Sequence, residues 1–146
     1  CPVLTVRACV KISDQMKTII LPIDSTPETR EKVTITAEIA RATKAKVIVL
    51  KLYSSKIVEV MHVVDAYANQ VADFLRAEQV EVEMDESITS NLTDTTIEYA
   101  KKVNADLIVI MTEQEKKAAN FLLGNFAQQM INHSPLPVLS VRPKGL

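Results

Sequence analysis

Short apolar runs alternate along the chain with longer stretches in which apolar residues recur every three or four positions. Lys17-Thr18-Ile19-Ile20-Leu21-Pro22-Ile23-Asp24 reads as a buried strand that ends at an acid. Its β-branched residues, crowded into a short run, favour strand over helix. Ser25-Thr26-Pro27-Glu28 then supplies a helix start: a hydroxyl cap, a proline in the first turn and an acid beside the positive end of the dipole. Val33, Ala37, Ala40 and Ile39 give this helix, expected to run to about Thr43, one face for a sheet. Lys46–Leu52 is the second strand. A helix from about Ser55 to Glu78 follows, with its apolar stripe at Ile57, Val60, Met61, Val64, Ala68, Val71 and Leu75.

Val80-Glu81-Val82-Glu83-Met84 alternates strictly, which predicts a half-exposed strand near a sheet edge. A third helix is predicted from Leu92 or Thr93 to Val103, a strand over Asp106–Met111, a last helix over about Ala118–Asn132 and a closing strand over Pro137–Arg142. Strand alternating with helix implies an α/β fold with a parallel sheet, right-handed crossovers and helices on both faces. Ligands of such sheets lie beyond the carboxyl ends of the strands, here Asp24, Leu52, Met84 and Met111.

The first residues do not fit this alternation but match the end of the chain. Pro2-Val3-Leu4-Thr5-Val6-Arg7 aligns with Pro137-Val138-Leu139-Ser140-Val141-Arg142, identical except for Thr5 against Ser140. Self-similarity of this kind points to a repeated unit. The expected organisation is a closing strand of a preceding copy at residues 1–7, a linker at 8–16 and one domain at 17–143. A chain that starts at Cys1 rather than methionine fits a piece of a longer tandem protein.

Composition removes several function classes. Seventeen basic residues against eighteen acidic ones leave a net charge of -1, so no electrostatic footprint for nucleic acid or an anionic membrane exists. The longest apolar runs, such as Leu107–Met111, are far shorter than the roughly 18–20 residues of a membrane span. Cys1 and Cys9 are close neighbours and the two histidines, His62 and His133, are far from them. That spacing offers neither a disulfide framework nor a metal site, and it favours a reducing, cytoplasmic setting. Glycine is the outlying number: only Gly124 and Gly145 occur, where average usage would give about ten. A nucleotide site built on glycine-rich backbone is short of material. Asp24, Glu113 and Glu115 are the available carboxylates, with no nucleophile or metal tied to them, so no catalytic residue is predicted.

Over Lys17–Pro143 the chain resembles the universal stress protein family. The resemblance rests on Ile19–Asp24, on Ala40-Arg41-Ala42 through Val47–Leu50, on Ala105–Ile110, and above all on Leu122-Leu123-Gly124-Asn125 followed by Asn132–Leu139. It implies a Rossmann-like, adenine nucleotide alpha hydrolase-like fold with a five-stranded parallel sheet and dimerisation through the last strand. It also implies two functional classes. One binds ATP through a loop after the fourth strand, G-x2-G-x9-G-[ST]; the other has lost the loop and binds no nucleotide. With Gly124 as the third glycine, the first two positions are Met111 and Gln114, the terminal hydroxyl is replaced by Asn125, and the family's glycine near the third helix becomes Ser90.

Side chains at those positions keep backbone amides away from phosphate oxygens. Glu113 and Glu115 add negative charge there, with Lys116 and Lys117 beside them. The expected function is therefore a stress-response domain without ATP or any other cofactor, working as a homodimer or against a tandem sister domain. Its interface residues are Val138, Leu139 and Val141, with Val3, Leu4 and Val6 supplying the partner strand. The alternative is a nucleotide-binding sensor with a pocket at Asp24, Leu52, Gly124 and Asn125.

Overall fold

Successive residues of a strand point to opposite sides, so a strand apolar at every position must be covered on both. Ile19, Ile20, Leu21 and Ile23 are all fully buried, and Val47 through Leu50 nearly so. The computed structural model describes residues 1–7, 15–112 and 125–144. In chain order the described elements are β1 (Val3–Thr5), β2 (Thr18–Ile23), a 3₁₀ helix (Pro27–Arg30), α1 (Val33–Thr43), β3 (Lys46–Tyr53), α2 (Val58–Ala77), β4 (Val82–Ile88), α3 (Leu92–Lys102), β5 (Leu107–Met111), α4 (Asn125–His133) and β6 (Val138–Val141).

The strands form one sheet in the order β1-β6-β5-β2-β3-β4. Pairing is parallel from β6 to β4 and antiparallel between β1 and β6. One face carries Ile19, Leu21, Ile23, Val47, Val49, Val109 and Leu139 against Ala37 and Ala40 of α1 and Val64, Ala68, Val71 and Leu75 of α2. The other carries Ile20, Ile48, Leu50, Ile108, Ile110 and Val138 against Ile97 and Ala100 of α3 and Ala127 and Met130 of α4. Asp106 pins the start of β2: its carboxylate accepts from the amides of Lys17 (2.8 Å) and Thr18 (3.0 Å).

The α/β class, the parallel core and the helices on both faces are as the pattern implies, with three differences. The sheet has six strands rather than five, because Val3–Thr5 joins its edge. The helix expected from Pro27 to Thr43 is divided into the 3₁₀ helix and α1. The β-branched run Val33-Thr34-Ile35-Thr36 is a poor helix start, and the buried Thr29 side chain ties the preceding turn to the tip of β2. The edge strand does not end at Met84: β4 pairs with β3 as far as Ile88. Its charged end finds partners, since Glu86 pairs with Lys51 and Asp85 accepts from the Tyr99 hydroxyl. Residues 118–124 of the last predicted helix lie outside the described residues.

Scarce glycine leaves a mark on the helix ends. Lys44, one residue past α1, and Gln79 and Asn104, two past α2 and α3, adopt φ of 58°, 63° and 53°. The left-handed region costs residues with a Cβ about 1 kcal/mol or more, and glycine is the usual occupant. Lys44→Gly and Gln79→Gly should each raise stability by roughly 0.5–1 kcal/mol, read as a higher urea midpoint at unchanged slope; a lower midpoint would show that these side chains contribute more than their strain costs.

Candidate functional site

Strand order reverses at β2: β3 and β4 extend to one side, β5 and β6 to the other. The crevice between the carboxyl ends of β2 and β5 is thus the expected ligand position. Asp24 stands there, half-buried, one residue beyond β2. Its Oδ1 accepts from the backbone amide of Thr26 at 2.9 Å and from the Thr26 hydroxyl. The carboxylate thereby closes the turn into the 3₁₀ helix, which is the capping role such an acid often takes. Leu52 follows Lys51, the β3 partner of Ile23, so Asp24 and Leu52 sit at neighbouring strand tips. The Leu52 side chain is only 2% exposed and belongs to the core below α3 and α4. Asn125 is the first described residue of α4 and is exposed. Gly124, together with Glu113, Gln114, Glu115, Lys116 and Lys117, lies outside the described residues.

Met111, at the first glycine position, is the last residue of β5 and is paired with Val141. The ladder continues one residue further: the Thr112 amide donates to the Val141 carbonyl at 2.9 Å. The amide that follows the first motif position is therefore committed to β6.

Beside Asp24 lies a residue that the sequence pattern did not single out. Lys32 is 3% exposed, and its Nζ donates to the Thr29 hydroxyl at 3.2 Å. That same hydroxyl accepts from the Asp24 amide at 3.2 Å. Burial pushes the Lys32 pKa down to about 8, with Asp24 pulling the other way. Lys32 also holds the cap position of α1, whose amino end has no side-chain cap and no acid in its first turn. A buried cation at the positive end of a helix dipole is electrostatically unfavourable. In the sequence Glu28–Lys32 reads as a solvated charged stretch. The signal that finds Lys32 is spacing, because Thr29, Lys32, Thr36 and Ala40 fall on one buried helical stripe.

A second polar cluster lies under α2. Lys51 Nζ is 3.2 Å from Asp65 and 3.0 Å from Glu86, and the Tyr53 hydroxyl donates to Asp65 and lies 3.2 Å from Glu86. Burial and then the bond to Asp65 push Tyr53 up to about 12, while the Tyr53 hydroxyl chiefly holds Asp65 below the usual carboxylate range. The four groups satisfy one another. Among the described residues no group of three His, Cys, Asp or Glu side chains is placed to hold a metal ion, and no described helix is long and apolar enough to cross a membrane.

At the far end of the sheet, β6 is flanked on both sides. Val138 and Leu139 are buried and Val141 is half-buried. The carbonyls of Pro137 and Val141 accept from Ile108 and Thr112 of β5. Alternation then turns the backbone groups of Val138 and Ser140 toward β1. There they meet Thr5 and Val3, with Leu4 opposite Leu139 between them as a non-hydrogen-bonded pair. Val6 lies just past the paired segment, and the Arg7 guanidinium donates to the Asn132 carbonyl near the end of α4.

Lys32 gives a pH signature. Its pKa falls from 10.5 to about 8 on folding, so between those values the unfolded chain binds the proton that the folded chain has lost. Stability from this group rises as pH climbs through that window, and its full penalty is present below about pH 8. Lys32→Met should raise stability at pH 7 by about 1–3 kcal/mol and flatten the rise between pH 8 and pH 10. Denaturant titrations at several pH values check this; equal pH dependence in both proteins would remove Lys32 as its source.

The family model of the universal stress proteins matches residues 16–142. Among solved structures, a universal stress protein in complex with cAMP is 23% identical, with a TM-score of 0.74, covering 90% of this chain and 100% of that chain. The universal stress protein from Archaeoglobus fulgidus in complex with dAMP is 20% identical, with a TM-score of 0.67, covering 89% and 98%. Another, from Archaeoglobus fulgidus DSM 4304, is 13% identical with a TM-score of 0.75; the match covers 97% of this chain and 50% of that one. At such identities the likeness is one of fold. A search of curated protein sequences returns no match. On the family match, which spans nearly its whole length, the chain belongs to the universal stress protein family.

Proposed function

We propose that this domain serves the stress response as a docking unit that binds through its last strand and does not bind ATP. One observation carries the reading: a segment whose sequence repeats that of β6 occupies the edge of β6. Val3, Leu4 and Thr5 correspond to Val138, Leu139 and Ser140, and they pair with Ser140, Leu139 and Val138. That is antiparallel pairing with no stagger, the arrangement that a two-fold axis through Leu139 would give two copies of β6. On this reading residues 1–7 are the closing strand of a preceding sister domain, residues 8–16 the linker, and residues 17–143 the domain proper. The Archaeoglobus chain of which this one covers half has room for two such units. Val138, Leu139 and Val141, with Val3, Leu4 and Val6, form the interface.

Three features support the absence of ATP. Met111, Gln114 and Asn125 replace the residues of the phosphate loop. The Thr112 amide is taken by Val141. Asp24 is engaged by the turn that it caps. No catalytic step is assigned to any residue. The competing reading, a nucleotide sensor, rests on Asp24 at the crevice and on the cAMP and dAMP complexes of its structural neighbours.

Thermal melting with and without millimolar Mg-ATP, cAMP or AMP separates the two. A ligand at 100 times its dissociation constant adds about 2.7 kcal/mol, or several degrees for a domain of this size. The docking reading expects no shift with any of the three nucleotides; a clear shift with one of them would replace it with the sensor.

A further inference from the structure

The β1 segment closes one wall of a cavity of about 250 Å³. Leu4 and Val6 line it from that segment, Ile39 from α1, Leu107 from β5 and Leu139 from β6. All five side chains are aliphatic. Asp106 is the one ionisable residue in the described lining. The amides of Lys17 and Thr18 both reach its Oδ2, at 2.8 and 3.0 Å, and none of the described residues donates to Oδ1. Aliphatic walls give a trapped water few of the roughly two to four polar partners that it needs. Left empty, a space of this kind costs its lining packing contacts. An apolar cavity of roughly 150 Å³ takes benzene, so one of about 250 Å³ has room for a second fused ring.

We infer that this cavity binds a neutral, two-ring apolar molecule whose single N–H or O–H group donates to Asp106 Oδ1. The aliphatic walls hold the rings, and the one polar contact fixes their orientation, the usual division of labour in a small-molecule site. An anionic ligand would meet Asp106 as a like charge. A protonated amine would bring three donors to one free oxygen and leave the others against aliphatic carbon. Because Leu4 and Val6 form part of the wall, the site is complete only while β1 lies on β6. A ligand that binds this form alone also holds β1 in place, by linkage. The binding claim stands apart from the docking reading, since it needs only the β1–β6 pair.

Indole has the required size, shape and single donor; benzothiophene has the two rings without the donor. Each is titrated into the intact chain with its Leu, Val and Ile methyl groups labelled for NMR. Indole should shift the methyls of Leu4, Ile39 and Leu139 saturably, with a dissociation constant of about 1 mM or tighter. Asp106→Asn should weaken indole about five-fold or more, the loss of one hydrogen bond, and leave benzothiophene within about two-fold. Ile39→Phe, which adds bulk to the wall, should abolish binding of both while the melting temperature holds or rises. Indole at ten times its dissociation constant should slow amide exchange at Val138 and Ser140 about ten-fold.

Absence of saturable shifts, or shifts confined to methyls away from the cavity, would overturn the site. So would indole binding that Ile39→Phe leaves intact. An Asp106→Asn protein that loses both ligands equally, or neither, would overturn the donor contact. Unchanged exchange at Val138 and Ser140 would overturn the link to β1. Should a variant fail to fold, the methyl shifts of the unaltered chain still decide whether the cavity is occupied.

Discussion

The backbone of β6 sets the main constraint on this domain. Its four residues lie at the end of the parallel run, three of them buried. One set of backbone groups is satisfied by β5. The other, on Val138 and Ser140, points away from the domain, where left uncovered it would present an open edge ready to pair with another chain. A strand so placed requires a partner. In this chain the partner is Val3–Thr5, and its fit follows from its sequence: it repeats the strand that it covers, with Leu4 standing for Leu139 at the centre.

The rest of the domain can be seen as the support for that edge. The continuous apolar strands β2, β3 and β5 fill the middle of the sheet and leave little polar backbone unpaired. Acidic residues are displaced to β4, the opposite edge, where Glu83, Asp85 and Glu86 blunt it against pairing and find Lys46, Tyr99 and Lys51 as partners. One edge is therefore protected by charge and the other by an added strand. Ser140 shows the cost of the second arrangement. Its hydroxyl is buried without a hydrogen-bond partner among the described residues, opposite the apolar Val3.

Much of this was legible in the residues. Buried strands, helix stripes and the alternating edge strand follow from periodicity alone, and the match between residues 2–7 and 137–142 anticipated an extra strand beside β6. Three things were not. The end of β4 was hidden because Asp85-Glu86-Ser87 reads as a loop until Lys51 of the next strand is known to lie beside Glu86. The break between the 3₁₀ helix and α1 was masked because the cap, proline and acid at 25–28 signal one helix start, while the bond from the Asp24 amide to the Thr29 hydroxyl and the β-branched run at 33–36 set the turn apart from α1. Lys32 was overlooked because charge suggested solvent while its spacing placed it on the buried stripe. At the crevice, Asp24 follows β2 directly and Leu52 is the last residue but one of β3, yet one closes a turn and the other packs in the core.

The account stands on the occupancy of the β6 edge, and amide hydrogen exchange at Val138 and Ser140 measures it directly. In the intact chain these two amides should exchange slowly at every protein concentration, because β1 holds them from within the molecule. In the chain without residues 1–7 their protection should become concentration-dependent, rising as a second copy takes the place of β1. Fast exchange at both positions in the intact chain would show that the edge is open, and would contradict a domain organised around a paired last strand.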